Sequence, residues 1–294
     1  GCLHRLPRGK SVVRPRSACP GCGSPIAWFD NIPILSYAVL NGRCRGCKAR
    51  IPFRYPMVEA LTGLLFAAVF WKHLNDPAGQ PPAVTAVYLV VTAGLVVLTF
   101  IDLDFRIIFD SFSFWAAAAA VPLSLFLPAL HVAFWPPLPA PALQSHVDGL
   151  LASLAGAAVG ASTIVVQWGM GVAYLWMKSR LIAQEALRAL LHRSALTRWL
   201  VTGPSDPARD AVIGGGDLGL MAAVGALLGW QGALLAFLVA LISGALIGVV
   251  YAACVKDPYI AFGPFLALGM FLVLLSRREM LDFLTAAFHH SAVL

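Results

Sequence analysis

The chain has 294 residues, of which 59% are hydrophobic and only 12% charged, with a mean hydropathy of +0.79. A soluble domain of this length wets its surface with about twice that charge, so the composition excludes a soluble globular protein, a disordered chain and a secreted disulfide scaffold. What remains is an integral membrane protein, and its net charge of +7 fits Lys and Arg held against anionic membrane lipid, not nucleic acid.

Residues 1–55 form a polar, loop-rich unit that carries ten of the 21 Lys and Arg residues, a single acid, Asp30, and four Cys in two pairs. No signal peptide is read at this start, because no apolar run follows a charged n-region. Cys19-Pro-Gly-Cys22 and Cys44-Arg-Gly-Cys47 are C-x2-C pairs separated by 21 residues, the spacing at which two knuckles supply four thiolates to one tetrahedral zinc. The basic charge puts this loop in a reducing cytosol, where thiolate ligation is favoured over disulfides. Four protein ligands leave no position for water, so the expected zinc is structural. Cys2 and Cys254 fall outside the pattern and read as small buried or interfacial residues.

From Met57 onward, apolar runs long enough to cross about 30 Å of hydrocarbon are predicted at 57–73, 84–101, 111–130, 148–176, 216–230, 232–254 and 259–276. The expected fold class is therefore an all-α polytopic membrane protein of about seven transmembrane helices with a zinc-ribbon-like loop. Only Gly229-Trp230-Gln231-Gly232 separates the fifth and sixth runs, so one bent or re-entrant element is the alternative there. The positive-inside rule makes the basic segments 1–55 and 177–210 cytoplasmic, together with the loop 102–110, and leaves 131–147, which has no Lys or Arg, outside. Arg277 and Arg278 dissent from that alternation. Residues 178–200 have apolar positions at helical spacing with basic ones between them, the pattern of a surface-lying amphipathic helix, within a cytoplasmic insert at 178–210. The division expected is a cytoplasmic loop over 1–55 and a transmembrane domain over 56–294.

The segment Phe100-Ile-Asp102-Leu-Asp104-Phe-Arg106-Ile-Ile-Phe-Asp110 sets acids against apolar sequence, where ionisation is costly and function is the default reading. Asp110, beside Ser111, stands where the next helix needs its N-cap. Asp102 and Asp104 project about 200° apart on a helix and so cannot both meet one partner. Asp102 abuts the apolar run and is the candidate catalytic group, with Asp104 in support. On the same predicted face, Ile213-Gly214-Gly215-Gly216-Asp217 opens the fifth run. Its glycines let the backbone approach a neighbouring helix or an extended peptide, and Asp217 reads either as a plain N-cap or as a second functional acid. A phosphate cradle lacks the flanking pattern it needs. Two carboxylates brought together share a proton, one serving as base and the other as acid, which is the aspartic-protease arrangement. Intramembrane acids and Gly-broken helices also mark proton-coupled transporters, but there the acids sit near the midplane and no four-Cys loop is called for.

Taken in order, His4-Arg-Leu-Pro-Arg-Gly, the cysteine tetrad, Trp28-Phe-Asp-Asn-Ile-Pro-Ile-Leu-Ser, Arg54-Tyr-Pro-Met-Val-Glu-Ala-Leu-Thr, Phe100-Ile-Asp-Leu-Asp, Gly214-Gly-Gly-Asp-Leu and Phe262-Gly-Pro-Phe-Leu-Ala-Leu-Gly span nearly the whole chain. Together they resemble the bacterial prepilin peptidases, the type IV prepilin leader peptidases and N-methyltransferases of the GxGD aspartic type. The resemblance implies cleavage of a short basic leader after Gly in type IV prepilins or pseudopilins, then methylation of the new amine from S-adenosylmethionine. It carries the catalytic pair to Asp102 and Asp217, with Gly214 and Gly216 in support. It places the enzyme in the bacterial inner membrane with its active site at the cytoplasmic face. Family members have a transmembrane helix ahead of the cysteine loop, whereas this sequence opens on Gly1-Cys2, and Gly219 stands where a Lys is common. An inactive family member serving membrane assembly is the remaining alternative.

Overall fold

A chain in hydrocarbon can satisfy its backbone polar groups only within helices or a closed barrel, and the apolar runs here are helical. The computed structural model describes residues 18–76, 81–106, 108, 110–132, 146–183, 215–254 and 261–291. A short helix α1 (Leu35–Val39) is followed by α2 (Arg54–Leu74), α3 (Pro82–Phe105), α4 (Asp110–Phe126), α5 (Ala129–Val132), α6 (His146–Ala183), α7 (Gly215–Cys254) and α8 (Gly263–Ser291). Among the described residues, four stretches are long and apolar enough to cross a membrane: α2, α3, His146–Ala173 of α6 and Gly216–Tyr251 of α7. Phe112–Phe126 and Gly263–Ser276 are shorter apolar helices. The protein is thus an all-α polytopic membrane protein. Several expectations from the sequence lie outside the described residues: the burial of Cys2 and of the Cys254 side chain, the role of Gly214, and the amphipathic helix beyond Ala183 together with the rest of the insert to 210.

Local chemistry sets the helix ends. Pro82 opens α3, where a missing N–H costs nothing. Arg106 ends it in a left-handed conformation (φ 54°), its N–H donating to the Asp102 carbonyl at 2.7 Å. Two compact units result: α1 to α3 with α7 from Leu238 and α8, and α4, α5 to His131, α6 and α7 up to Phe237. In the first, α3 packs against both α2 and α8; in the second, α4 packs against α6.

The apolar stretch of α7 has 36 residues and would reach about 54 Å if straight, far beyond the roughly 30 Å of hydrocarbon. Gly229, at φ 71° and ψ 174°, breaks it in a conformation essentially restricted to glycine. The fifth and sixth predicted spans are therefore two helical arms that abut without a loop. Such a break strips carbonyls at the end of the first arm of their helical partners, and water is not at hand to replace them. At Ala226 the carbonyl instead accepts hydrogen bonds from Ser153 Oγ of α6 at 2.9 Å and from Ser124 Oγ of α4 at 3.4 Å. His131 Nε2 lies 2.9 Å from the same Ser124 hydroxyl, and all three side chains are buried.

The first arm of α7 lies backbone to backbone against α6. A Cβ on Gly156 would stand 2.0 Å from the Gly225 carbonyl oxygen, and one on Gly225 would stand 1.9 Å from that of Gly156. Neither neighbour is a side chain that could rotate away. Gly156→Leu is expected to cost about 3 kcal/mol or more, the upper range of overpacking. A clear drop in melting temperature in detergent checks this, and an unchanged melt would mean that the helices do not meet there.

Candidate active site and metal centre

The two C-x2-C pairs fold into equivalent turns. Cys19 N–H donates to Ser24 O and Cys44 N–H to Ala49 O, both at 2.9 Å; Gly23 N–H and Lys48 N–H return to the carbonyls of Cys19 and Cys44 at 2.9 and 3.1 Å. Gly23 (φ 70°) and Lys48 (φ 58°) take the same left-handed conformation. Isolated bridges join Ala18 to Pro25 and Arg43 to Arg50, so one knuckle repeats the other 25 residues on. Sequence reading missed this repeat because a Lys occupies the position held by Gly in the first copy.

The four Sγ atoms of Cys19, Cys22, Cys44 and Cys47 all lie within 4.8 Å of one another, and those of Cys19 and Cys47 are 3.8 Å apart. Zinc–sulfur bonds of about 2.3 Å in a tetrahedron put sulfurs about 3.8 Å apart, so the residues present fit a four-thiolate zinc. Hydrogen bonding with the Ser24 hydroxyl and amide draws the Cys22 thiol down to about 6. The Ala49 amide favours the Cys47 thiolate, yet Cys22, burial, Cys19 and Cys44 together push that thiol up to about 11. Four sulfurs this close ionise together only around a cation.

Arg45 ties the loop to the second knuckle. Its Nε and Nη2 donate to both oxygens of Asp30, at 2.8 and 2.7 Å, and its guanidinium covers the Phe29 ring at 5.5 Å. These hydrogen bonds hold the Asp30 carboxyl below the usual carboxylate range and raise Arg45 in turn. The depressed carboxyl favours the folded loop above the ordinary Asp range, and that benefit is lost only as pH falls through the lowered value.

Asp102 and Asp104 close α3 and part company there. Asp102 is only 5% exposed, and its Oδ2 accepts the backbone N–H of Gly263, the first residue of α8, at 2.9 Å. A helix N-terminus is a ready partner for a carboxylate. The Asp104 side chain lies on the exposed side, where Arg54 Nη1, in the first turn of α2, donates to its Oδ1 at 2.6 Å. The same guanidinium reaches the Phe100 carbonyl at 3.4 Å and covers the Phe100 ring at 5.2 Å. Asp104 is thus occupied in holding α2 to α3. Neither Gly263 nor Arg54 was given a role on sequence grounds, since partners 161 and 50 positions away leave no local pattern; the Gly263-Pro264 start of a helix was the one available signal. A half-exposed pair of this kind is worth up to about 1 kcal/mol. Arg54→Ala and Asp104→Asn are each expected to lower stability by that much, and the double variant by no more than either alone; additive losses in thermal melts would disprove the pairing.

Asp217 stands half-buried in the first turn of α7, in the second compact unit. Of the two uses that the glycine run allows, Gly216 serves the approach of a neighbour within the chain: a Cβ there would lie 2.4 Å from the Ile108 carbonyl oxygen. Gly219 likewise abuts Ser113, whose Cβ would be 2.8 Å away. The absent side chains let Ile108 and Ser113 pack directly on the turn that carries Asp217. Asp110 is the first residue of α4.

A polytopic helical membrane protein with a four-cysteine loop ahead of its spans and a buried Asp at a span end is a narrow class, and comparison with known proteins narrows it further. Residues 1–73 match the Bacterial Peptidase A24 N-terminal domain. The chain is 34% identical over 268 residues to the prepilin leader peptidase/N-methyltransferase of Aeromonas hydrophila, covering 90% of this chain and 73% of that protein. Identity to the protein of the same name from Pseudomonas aeruginosa is 33% over 269 residues, with 90% and 73% covered. For the Myxococcus xanthus protein it is 34% over 251 residues, and there the chain spans 84% of its own length but 57% of the relative's. No solved structure matches. The chain belongs to the prepilin leader peptidase/N-methyltransferase family.

Proposed function

We propose that the chain is a membrane aspartic endopeptidase that cleaves the basic leader of type IV prepilins or pseudopilins after Gly and then N-methylates the new terminus. The observation that carries this reading is the identity with relatives of that name along most of the chain, together with the burial of Asp102. Asp102 and Asp217 are the acids assigned to the reaction. Sharing one proton, the ionised partner takes a proton from water while the oxygen attacks the scissile Gly carbonyl. The protonated partner hydrogen-bonds the developing oxyanion and gives its proton to the leaving amine as the C–N bond breaks. The Gly263 amide, donating to Oδ2, holds the Asp102 carboxyl in place at the end of its helix. For methylation S-adenosylmethionine is a second substrate: the free amine attacks its sulfonium methyl, the thioether leaves, and a proton is lost to solvent. Zinc held by Cys19, Cys22, Cys44 and Cys47 would balance the thiolate charge and fold the loop; the loop's own residues set its shape.

By the positive-inside rule the loop over 1–55, the insert at 178–210 and both acids face the cytoplasm of a bacterial inner membrane, with the transmembrane domain over 56–294 carrying the chemistry. The test is purified protein in lipid vesicles with a prepilin and S-adenosylmethionine, followed by mass spectrometry of the product. The expected product ends its leader at Gly and carries one added methyl on the mature amine. An intact prepilin would overturn the peptidase reading, and a cleaved but unmethylated product would overturn the second half alone.

A further inference from the structure

Between the two knuckles, residues 28–39 present Trp28, Phe29, Ile32, Ile34, Leu35 and Val39 to the outside, Trp28 at 81% and Val39 at 65% exposure. Six large apolar side chains exposed within twelve residues call for a partner. Three observations identify one. The first is depth. The Ile34 N–H donates to Glu59 Oε2 at 3.1 Å, and Glu59 lies five residues inside α2, about 7.5 Å along its axis from Arg54. The segment therefore lies beside the first two turns of a helix that itself enters the bilayer. A segment held against the opening turns of a helix long and apolar enough to cross the bilayer stands near the boundary of headgroups and acyl chains, where interfacial segments settle. The second is conformation. Ile34 is held at φ 61° and ψ −50°, a costly backbone for a β-branched residue, which the Glu59 bond stabilises. The segment is fixed at that level of α2 instead of relaxing away. The third is charge. The adjoining second knuckle exposes Arg43, Lys48 and Arg50, cations suited to anionic headgroups.

We propose that Trp28–Val39 is an interfacial membrane anchor, with bilayer lipid as the occupant of its apolar surface. It sets the height of the cysteine loop on the membrane at the level of the α2 turn whose Arg54 grips the end of α3. This holds whether or not the protein is a peptidase, because it needs only that α2 enters the bilayer.

The test uses the full chain in nanodiscs of phosphatidylcholine and phosphatidylglycerol, with or without lipids brominated near the top of the acyl chains. Trp28→Ser, an exposed position, isolates the Trp28 emission by difference, and a retained metal content shows that the loop is intact. Quenching of the Trp28 signal by about twofold or more in brominated discs is expected for a side chain at the interface. Leu35→Trp in the Trp28→Ser background adds an indole at a different point of the segment, and its emission should be quenched likewise. Emission untouched by brominated lipid at both positions would overturn the anchor. A surface shielded by an added prepilin peptide in detergent, yet unquenched by brominated lipid, would overturn it in favour of a protein-docking role.

Discussion

Asp102→Asn and Asp217→Asn are each expected to reduce prepilin cleavage by at least about a thousandfold, the range set by loss of a general acid or base. Both variants should still insert in the membrane and retain their metal. For Asp102 the physical reason is specific: Asn keeps an oxygen to accept the Gly263 N–H, so the substitution removes the charge and the exchangeable proton while leaving the contact. Asp104→Asn should cost less than about tenfold, because Asp104 spends its carboxylate on Arg54 and acts through helix packing. The measurement is initial rate on a purified prepilin in vesicles. Full activity in Asp217→Asn would dismiss the two-acid mechanism, and a larger loss at Asp104 than at Asp102 would reverse the roles of those two residues.

Removal of the metal should produce the second large effect. Purified protein is expected to hold about one zinc per chain, the stoichiometry of a closed four-thiolate site, and Cys19→Ser with Cys22→Ser should abolish it. Structural zinc sites contribute about 10–16 kcal/mol in small zinc-binding peptides, more than a loop with few buried side chains could replace. The doubly substituted loop should therefore become sensitive to protease while the helices beyond Arg54 persist. Cleavage should fall without vanishing at low temperature, since thiolates that fold the loop perform no proteolysis. Because protons compete with metal for sulfur, zinc should also be lost as pH falls. Metal-free protein with unchanged protease resistance would refute the site.

Much of this architecture was legible in the sequence because hydrocarbon is an unforgiving solvent: the helices fall on the apolar runs, and the helical angle of about 200° between Asp102 and Asp104 foretold their separation. The cysteine spacing foretold a cluster of four sulfurs. Legibility failed where partners are distant. Nothing near Asp102 signals an amide at Gly263, and nothing near Gly216 signals Ile108. The Gly229 break was visible only as an ambiguity, since four residues could serve as a tight turn or as a bend. Deciding between them required Ser124 and Ser153, which come from other helices to meet the Ala226 carbonyl.

The repeat of one knuckle in the other bears on how this loop can be rebuilt. Each copy closes its own turn through backbone hydrogen bonds that stay within six residues, so the 21 residues between Cys22 and Cys44 are an insertion between two self-sufficient clasps. Doubling the length of such a connection costs only about 0.6 kcal/mol in closure entropy. The connection can thus change in length at little entropic cost, provided that Asp30 and Ile34 keep the hydrogen bonds that tie it to Arg45 and to Glu59.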